Sequence, residues 1–200
     1  METIDTIEAL EALYDDAVPA ALGKVHGRLT PLYRTWIERC RFCVLSTVGP
    51  EGTDASPRGD AEPVVRILDD ATLLLPDWRG NNRLDSLRNI VRDGRVSLLF
   101  MIPGTDTVVR VNGSARLTAH DAVREQFARQ GKTPRTVVVV DVREVYFQCA
   151  KALMRSKLWS AEQDLEGLPS AGAFLREATD DFDAEAYDAG YADYAAPRMW

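Results

Sequence analysis

Short β-branched segments separated by tight turns, with few helices between them, constrain this chain more than any other feature. Residues 42–48 form one such segment, and Gly49-Pro50-Glu51-Gly52 follows as turn chemistry. A hairpin is predicted around Asp69-Asp70, with its two strands at residues 64–68 and 72–75. Further strands are predicted at 96–102, 108–118 and 136–147. Gly113 within the second of these predicts a bulge or a close approach. A parallel sheet would need a helix after nearly every strand, so the pattern predicts a mainly β (α+β) fold, an antiparallel sheet or barrel of six strands.

Helical periodicity is confined to the two ends and to a few connections. Residues 4–14 predict an amphipathic helix, and a second helix begins at Thr30-Pro31. Asn81-Asn82 opens a third helix, which closes at Asp93-Gly94. Shorter helices are predicted at 121–130, 150–159 and 170–179. The chain therefore divides into N-terminal helices packing on a barrel (1–38), the barrel (39–159) and an acidic C-terminal helix and tail (160–200).

Charge is distributed unevenly along the chain. The net charge is −7, but residues 160–200 contain ten acidic residues against Arg176 and Arg198 and carry −8, so the other 159 residues carry about +1. Neither part has the clustered basic face that nucleic acid requires. The sequence predicts no nucleic-acid partner, whereas a small anionic ligand held by a few arginines stays open.

The apolar segments and the cysteines indicate the compartment. No apolar run approaches the roughly 20 residues of a membrane-spanning helix, and the acidic start lacks signal-peptide features. Three cysteines without export signals predict a reducing, cytoplasmic setting. Cys40-Arg41-Phe42-Cys43 lacks further ligands at suitable spacing, so no metal site is predicted and Cys43 is expected in the core. No residue is assigned as a catalytic nucleophile.

Two polar segments are the candidate binding site. Ser56-Pro57-Arg58-Gly59-Asp60 and Gly80-Asn81-Asn82-Arg83 are both predicted at turns that border strands. Asn82 and Arg83 are predicted at a helix N-terminus, where free N–H groups favour an anion and an arginine fork fits phosphate oxygens. These segments indicate a phosphate site. The alternative is an ordinary asparagine helix cap beside a solvated arginine.

A second group of candidates contains Arg110, Lys151, Arg155 and Ser156. Lys151 and Arg155 are four residues apart and project from one face of a predicted helix. Such cations would stabilise negative charge on a reduced cofactor. A solvated basic face, or pairing with the acidic tail, is the alternative.

The order of these motifs resembles the FMN-binding split-barrel family, that of pyridoxamine 5′-phosphate oxidase and its relatives. The resemblance covers roughly residues 35–159 and is closest to an uncharacterised branch. It is carried by Ser-Pro-Arg-Gly-Asp (56–60), Gly-Asn-Asn-Arg (80–83), Val-Ser-Leu-Leu-Phe (96–100), Val-Asn-Gly-Ser-Ala (111–115) and Arg-Ser-Lys-Leu-Trp (155–159). The resemblance implies a six-stranded split barrel that binds FMN, with a deazaflavin as the less favoured cofactor.

The resemblance also implies roles for individual residues. Arg83 matches the family lysine that contacts the FMN phosphate, and Asn82 stands where the family has a second cation, so Arg58 or Arg110 would supply that charge. Pro76 and Asp77 match positions along the flavin. Val64, Val65 and Arg66 match the strand whose backbone edges the ring.

The function implied is that of a flavin-dependent oxidoreductase acting on a small-molecule substrate. The resemblance further implies a homodimer with FMN at the subunit interface. Glu144-Val145-Tyr146-Phe147-Gln148 begins like the substrate-binding signature of the true oxidase, but no histidine follows, which argues against oxidation of pyridoxamine phosphate. A non-catalytic flavin, deazaflavin or haem carrier or sensor is the alternative. The electron donor and acceptor are not predicted.

Overall fold

The computed structural model describes residues 1–160, 163 and 165–200, so residues 161, 162 and 164 of the predicted C-terminal unit lie outside the described residues. Its centre is one antiparallel sheet built from the β-branched segments. The sheet contains seven strands: β1 (Phe42–Gly49), β2 (Gly52–Gly59), β3 (Arg66–Asp69), β4 (Thr72–Asp77), β5 (Arg95–Met101), β6 (Val108–Thr118) and β7 (Thr136–Gln148). The predicted mainly β, α+β class is confirmed.

The strand β2 corrects the predicted number of six. Its glycines and Pro57 are poor strand formers, so the sequence pattern placed this segment in a turn. The tight turn after β1 folds the chain back, and the ladder runs from Gly49 opposite Gly52 to Phe42 opposite Gly59. Pro57 is tolerated because β2 lies at an edge of the sheet, where a missing N–H donor costs little.

The strand order is β2-β1-β5-β6-β7-β4-β3, and all neighbours are antiparallel. The two edges are β2 and β3. Among the described residues no ladder joins these edges, so closure of the sheet into the predicted barrel is not confirmed. One side of the sheet is therefore open beside β2.

The larger core cluster lies on one face of the sheet, and a smaller one that includes Leu74 and Val137 lies on the other face. Alternate residues of β1 and β5, such as Cys43, Leu45 and Phe100, are fully buried in the larger cluster because successive side chains of a strand point to opposite faces. Gly113 marks a register shift between β6 and β7, and a side chain at this position would collide with the carbonyl oxygen of Asp141. The bulge or close approach predicted for Gly113 is confirmed.

Helices surround the sheet and extend from both ends. They are α1 (Ile7–Glu11), α2 (Pro19–Gly23), α3 (Pro31–Ile37), α4 (Asp85–Arg92), α5 (Asp121–Arg124), α6 (Lys151–Ser156), α7 (Ala171–Ala178) and α8 (Ala184–Ala195). The first helix is shorter than predicted, and neither α1 nor α2 buries a residue. No described helix combines the length and apolar composition needed to cross a bilayer.

Contacts from α4 to β1 and β2 position this helix beside the open side of the sheet. The Asn89 side-chain amide donates to Thr47 Oγ1 at 3.1 Å, and the Ser86 hydroxyl donates to the Asp54 carboxylate. Gly49 allows the close approach, because a side chain there would collide with Asn89. The helix and β2 thus form two neighbouring walls.

Candidate functional site

A groove of about 1340 Å³ opens at the unpaired side of the sheet. It is lined by β2, the end of β4, the loop that follows β4, α4 and the start of β7. Seven of the residues predicted for the site line it: Ser56, Arg58, Pro76, Asp77, Asn81, Asn82 and Arg83. The structure therefore brings the two polar segments together in one concave surface, as binding sites require.

Arg58 connects two walls of this groove. It lies within β2 rather than in a turn, which corrects the prediction, and its ladder partner is the buried Cys43. The guanidinium Nη1 is 2.6 Å from Asp77 Oδ1 on β4, and the two side chains are only 18% and 16% exposed. This ion pair therefore spans the open side of the sheet.

Asp60, the last residue of the first polar segment, is a buried anchor. Its side chain is 3% exposed and forms an ion pair with Arg129. It also accepts hydrogen bonds from the Trp78 indole N–H at 3.1 Å and from the Ala61 N–H at 2.6 Å. These contacts compensate the burial of a carboxylate and orient Trp78, which lines the groove.

The loop between β4 and α4 has an unusual backbone. Asn82 and Leu84 have φ angles of 60° and 63°, in the left-handed region that non-glycine residues rarely adopt. Because Leu84 precedes the first helical turn in this conformation, α4 begins at Asp85. The prediction that Asn82 and Arg83 lie at the helix N-terminus is therefore wrong. Strained backbone of this kind is concentrated at binding sites.

Arg83 is exposed on this loop. Its side chain is 80% exposed, and Nε is 2.6 Å from Asp85 Oδ2. An exposed ion pair contributes about 0–1 kcal/mol, so a ligand oxygen can replace Asp85 at little cost. Arg135, at the start of β7, also reaches the loop, with Nη1 3.5 Å from Asn82 Oδ1.

The groove is more basic than the chain around it. Six arginines and four aspartates line it, a net charge of +2 in a chain whose net charge is −7. Within the part of the chain that the structure describes, Arg79, Arg88 and Arg135 form no ion pair. Arginines without an ion pair suit a phosphate group.

Two buried polar atoms of the groove test whether a polar ligand fits there. Arg58 Nε and Thr136 Oγ1 are buried and have no hydrogen-bond partner among the described residues. They come from adjacent parts of the groove, because Thr136 is the ladder partner of Asp77, to which Arg58 is paired. Unsatisfied buried polar groups are rare in native proteins. A ligand with acceptor atoms along one edge, such as a flavin, would satisfy both of them.

The family model for pyridoxamine 5′-phosphate oxidase matches residues 29–149. The chain belongs to the pyridoxamine 5′-phosphate oxidase family. The match covers more than half of the chain and includes all seven strands, β1 to β7. The family predicted from the motifs is therefore confirmed. No curated protein gives a significant match.

Several solved structures are similar to this family member at low sequence identity. HupZ from Group A Streptococcus is 17% identical with a TM-score of 0.49, covering 60% of this chain and 93% of its own. An FMN-binding protein from Syntrophomonas wolfei is 14% identical with a TM-score of 0.44, covering 58% and 88%. An F420 reductase is 16% identical with a TM-score of 0.42, covering 60% and 98%.

The other five predicted residues lie outside the groove. Val65 is buried and lines a neighbouring cavity of about 610 Å³. Arg110 lies on the face of β6 opposite the buried Val109 and Val111, and its Nη1 is 3.3 Å from the Tyr146 hydroxyl. The other three are exposed on α6: Lys151, Arg155 and Ser156. The second predicted group is therefore not part of the groove within one chain.

Several groove residues were missed by sequence reasoning. Arg135 and Thr136 enter because β7 pairs with β4, a contact between distant segments that no local pattern reveals. Tyr191 and Met199 enter from the C-terminal segment. Their only sequence signal is the aromatic content of an otherwise acidic stretch, which is too weak to place them.

The cysteines do not contribute to the groove. Cys43 is buried as predicted, and burial raises the pKa of its thiol to about 12. Burial also raises the pKa of Cys40, whose thiol donates to the carbonyl oxygen of Phe42 at 3.0 Å. The described residues contain no cluster of three or more histidine, cysteine or acidic side chains that could hold a metal.

Proposed function

We propose that this chain binds FMN in the groove and acts as a flavin-dependent oxidoreductase on a small-molecule substrate. The observation that carries the proposal is that one groove contains both arginines without an ion pair and two buried polar atoms without a hydrogen-bond partner among the described residues. Membership of the pyridoxamine 5′-phosphate oxidase family supports it. Bound FMN would supply the hydride or electron transfer, while the protein binds and orients the reactants.

The loop and its neighbouring arginines would hold the phosphate. Arg83 would exchange its exposed partner Asp85 for phosphate oxygens, and Arg135 would contribute a second cation next to Asn82. This second cation replaces the charge that the family has at position 82.

The wall formed by β2 and β4 would hold the ring. Arg58 Nε and Thr136 Oγ1 would donate to ring acceptors, and Pro76 would offer an apolar surface. Because Arg58 is held by Asp77, its charge is ordered before the ligand arrives. A fixed cation beside the ring would stabilise negative charge that develops on reduction.

Four of the five predicted residues outside the groove would serve a homodimer. Arg110 faces away from the core, and Lys151, Arg155 and Ser156 are exposed. In the proposed dimer these groups would approach the groove of the second subunit and complete its site. The buried, unpartnered Arg110 Nε is consistent with a partner on this face.

The proposed substrate is not pyridoxamine phosphate. The chain has two histidines, and neither His26 nor His120 lines the groove. His26 bridges to Val145, and His120 precedes α5. The proposed oxidoreductase therefore lacks the histidine that holds that substrate in the true oxidase.

The test compares FMN with riboflavin, which has the same ring but no phosphate. We expect Arg83→Ala to weaken FMN binding by about 1.5–3 kcal/mol, the range of charge-assisted hydrogen bonds, and to leave riboflavin binding unchanged. Arg95→Ala is the matched control, because Arg95 is 73% exposed and pairs with Asp93 at the same 2.6 Å, but does not line the groove. Flavin fluorescence titration measures both affinities.

Two further observations on the same samples separate the alternatives. Bleaching of the FMN absorption by NADH or NADPH would support an oxidoreductase, whereas a flavin that binds but is not reduced by any donor would support a carrier or sensor. A Soret band would indicate haem. Absence of flavin binding by the wild-type protein, or equal losses for FMN and riboflavin in Arg83→Ala, would contradict the proposed site.

A further inference from the structure

One wall of the groove comes from a segment that the family match does not cover. Tyr191 on α8 and Met199 beyond it line the groove, and both lie outside residues 29–149. Their side chains are exposed, at 51% and 54%. We infer that the C-terminal segment, residues 183–200, contributes Tyr191 and Met199 as ligand-contacting residues for the flavin ring. The inference rests on the proposed function.

Hydrogen bonds tie both sides of Met199 to the body of the protein. The Lys132 ammonium donates to the main-chain oxygen of Pro197 at 3.3 Å and to that of Trp200 at 2.9 Å. The Arg129 guanidinium lies 5.9 Å from the centre of a Trp200 ring, within the range of a cation–π contact. Met199 is therefore held against the groove by three contacts to Pro197 and Trp200, which lie on either side of it.

The same anchor connects to the groove wall. Arg129 forms an ion pair with Asp60, and the Asp60 carboxylate accepts the indole N–H of Trp78. Both Asp60 and Trp78 line the groove. One buried carboxylate therefore orients Trp78 and also positions the arginine that contacts Trp200, so the two walls are linked through a single cluster.

The position of Tyr191 is set by contacts of α8 with α7 and with Phe182, which lies between the two helices. The Gly172 N–H on α7 donates to Asp188 Oδ1 on α8 at 2.9 Å, which joins the two helices. The rings of Phe182, Tyr187 and Tyr191 follow one another with centroid separations of 5.5 and 5.6 Å. Tyr191 is the last ring of this row and the one that reaches the groove.

The chemistry of this wall differs from that of the arginine wall. A tyrosine ring and a thioether carry no charge at neutral pH and contact aromatic rings favourably. They would therefore recognise the planar part of a flavin rather than its phosphate. The contact should contribute equally to binding of FMN and riboflavin, in contrast to that of Arg83.

The experiment compares two exposed tyrosines. We expect Tyr191→Ala to weaken binding of FMN and of riboflavin by the same factor, about threefold to tenfold. Tyr14→Ala is the control, because Tyr14 is 74% exposed beyond α1 and does not line the groove. It should bind both ligands as the wild type does. Circular dichroism checks that each variant folds, and Tyr191→Leu replaces Tyr191→Ala if the latter does not.

A second pair of variants tests the anchor. Lys132→Ala should weaken both ligands by about twofold to fivefold, since one lost hydrogen-bond donor loosens Met199, and Lys132→Arg should restore binding. Unchanged affinity in Tyr191→Ala and Lys132→Ala would overturn the inference, as would a loss confined to FMN. If the wild-type protein binds neither flavin, the proposed function fails and this inference fails with it, an outcome that the wild-type titration alone identifies.

Discussion

Arg58 and Arg83 line the same groove and form ion pairs of the same length, yet their surroundings differ. Each has a nitrogen 2.6 Å from an aspartate oxygen, but the Arg58 side chain is 18% exposed and the Arg83 side chain is 80% exposed. In water the attraction between charges is screened, and in a partly dry site it is not. Burial, rather than distance, therefore decides what each pair contributes.

This difference suggests two roles within one site. The pair between Arg58 and Asp77 joins β2 to β4 across the open side of the sheet, so it should stabilise the fold as well as bind. The pair between Arg83 and Asp85 lies within one loop and joins residues two apart, so it should affect binding alone. Separate measurements of stability and affinity can test this distinction.

The largest expected effect is on stability, from Asp77→Ala. This change leaves the largely buried Arg58 guanidinium without its partner, and we expect the free energy of unfolding to fall by about 2–3 kcal/mol. Asp85→Ala removes the partner of the exposed Arg83, and the expected loss is below about 1 kcal/mol. Urea unfolding measures both. Equal losses would show that the two ion pairs do not differ as their burial indicates.

The next effect concerns FMN affinity in Arg58→Ala and Arg79→Ala. We expect about a tenfold loss for Arg58→Ala, because its ordered guanidinium has an unsatisfied Nε in the groove. The exposed Arg79 lies in the loop without an ion pair among the described residues, so its removal should cost less than about threefold. Titration is carried out below the unfolding transition of both variants. If Arg58→Ala bound FMN as tightly as the wild type does, the segment 56–60 would have a structural role and no role in binding.

The smallest effect is a pH dependence that arises beneath Arg58. Burial raises the pKa of Cys43, the ladder partner of Arg58, to about 12, whereas the ordinary value is 9.0. Above pH 9 the unfolded thiol loses its proton and the folded thiol keeps it, so unfolding releases a proton and stability falls as pH rises toward 12. By pH 10 the loss should reach about 1 kcal/mol. The stability of Cys43→Ala, measured by urea unfolding, should not show this decrease with pH. If the stability of the wild type and of Cys43→Ala changed with pH in the same way, the Cys43 thiol would not be buried as the structure shows.

Local patterns in the sequence predicted many parts of this molecule correctly. Six strands, the turn after β1 and the irregularity at Gly113 follow from β-branched runs and glycine positions. The order of motifs identified the family, which the match to residues 29–149 confirms. These features depend on residues close together in the chain, so they can be read without knowing the fold.

The errors of the sequence analysis involve contacts between distant segments. The strand β2 was missed because its own residues are poor strand formers and its ladder with β1 supplies the stability. The start of α4 was misplaced because Leu84 adopts a left-handed conformation that its side chain does not favour. In both places the surrounding structure overrides the local preference.

By itself, the sequence determined the antiparallel sheet, the family and seven of the groove residues, because each depends on local periodicity or on a motif. Five of the seven lie in the two polar segments, and Pro76 and Asp77 lie at the end of β4. Only the tertiary structure decided that Arg58 is largely buried and paired with Asp77 across the groove, whereas Arg83 is exposed. It also decided that Arg135, Thr136, Tyr191 and Met199 share the groove with them. The physical reason is that burial depends on which distant strands pair, here β4 with β7, and on where the C-terminal segment is anchored.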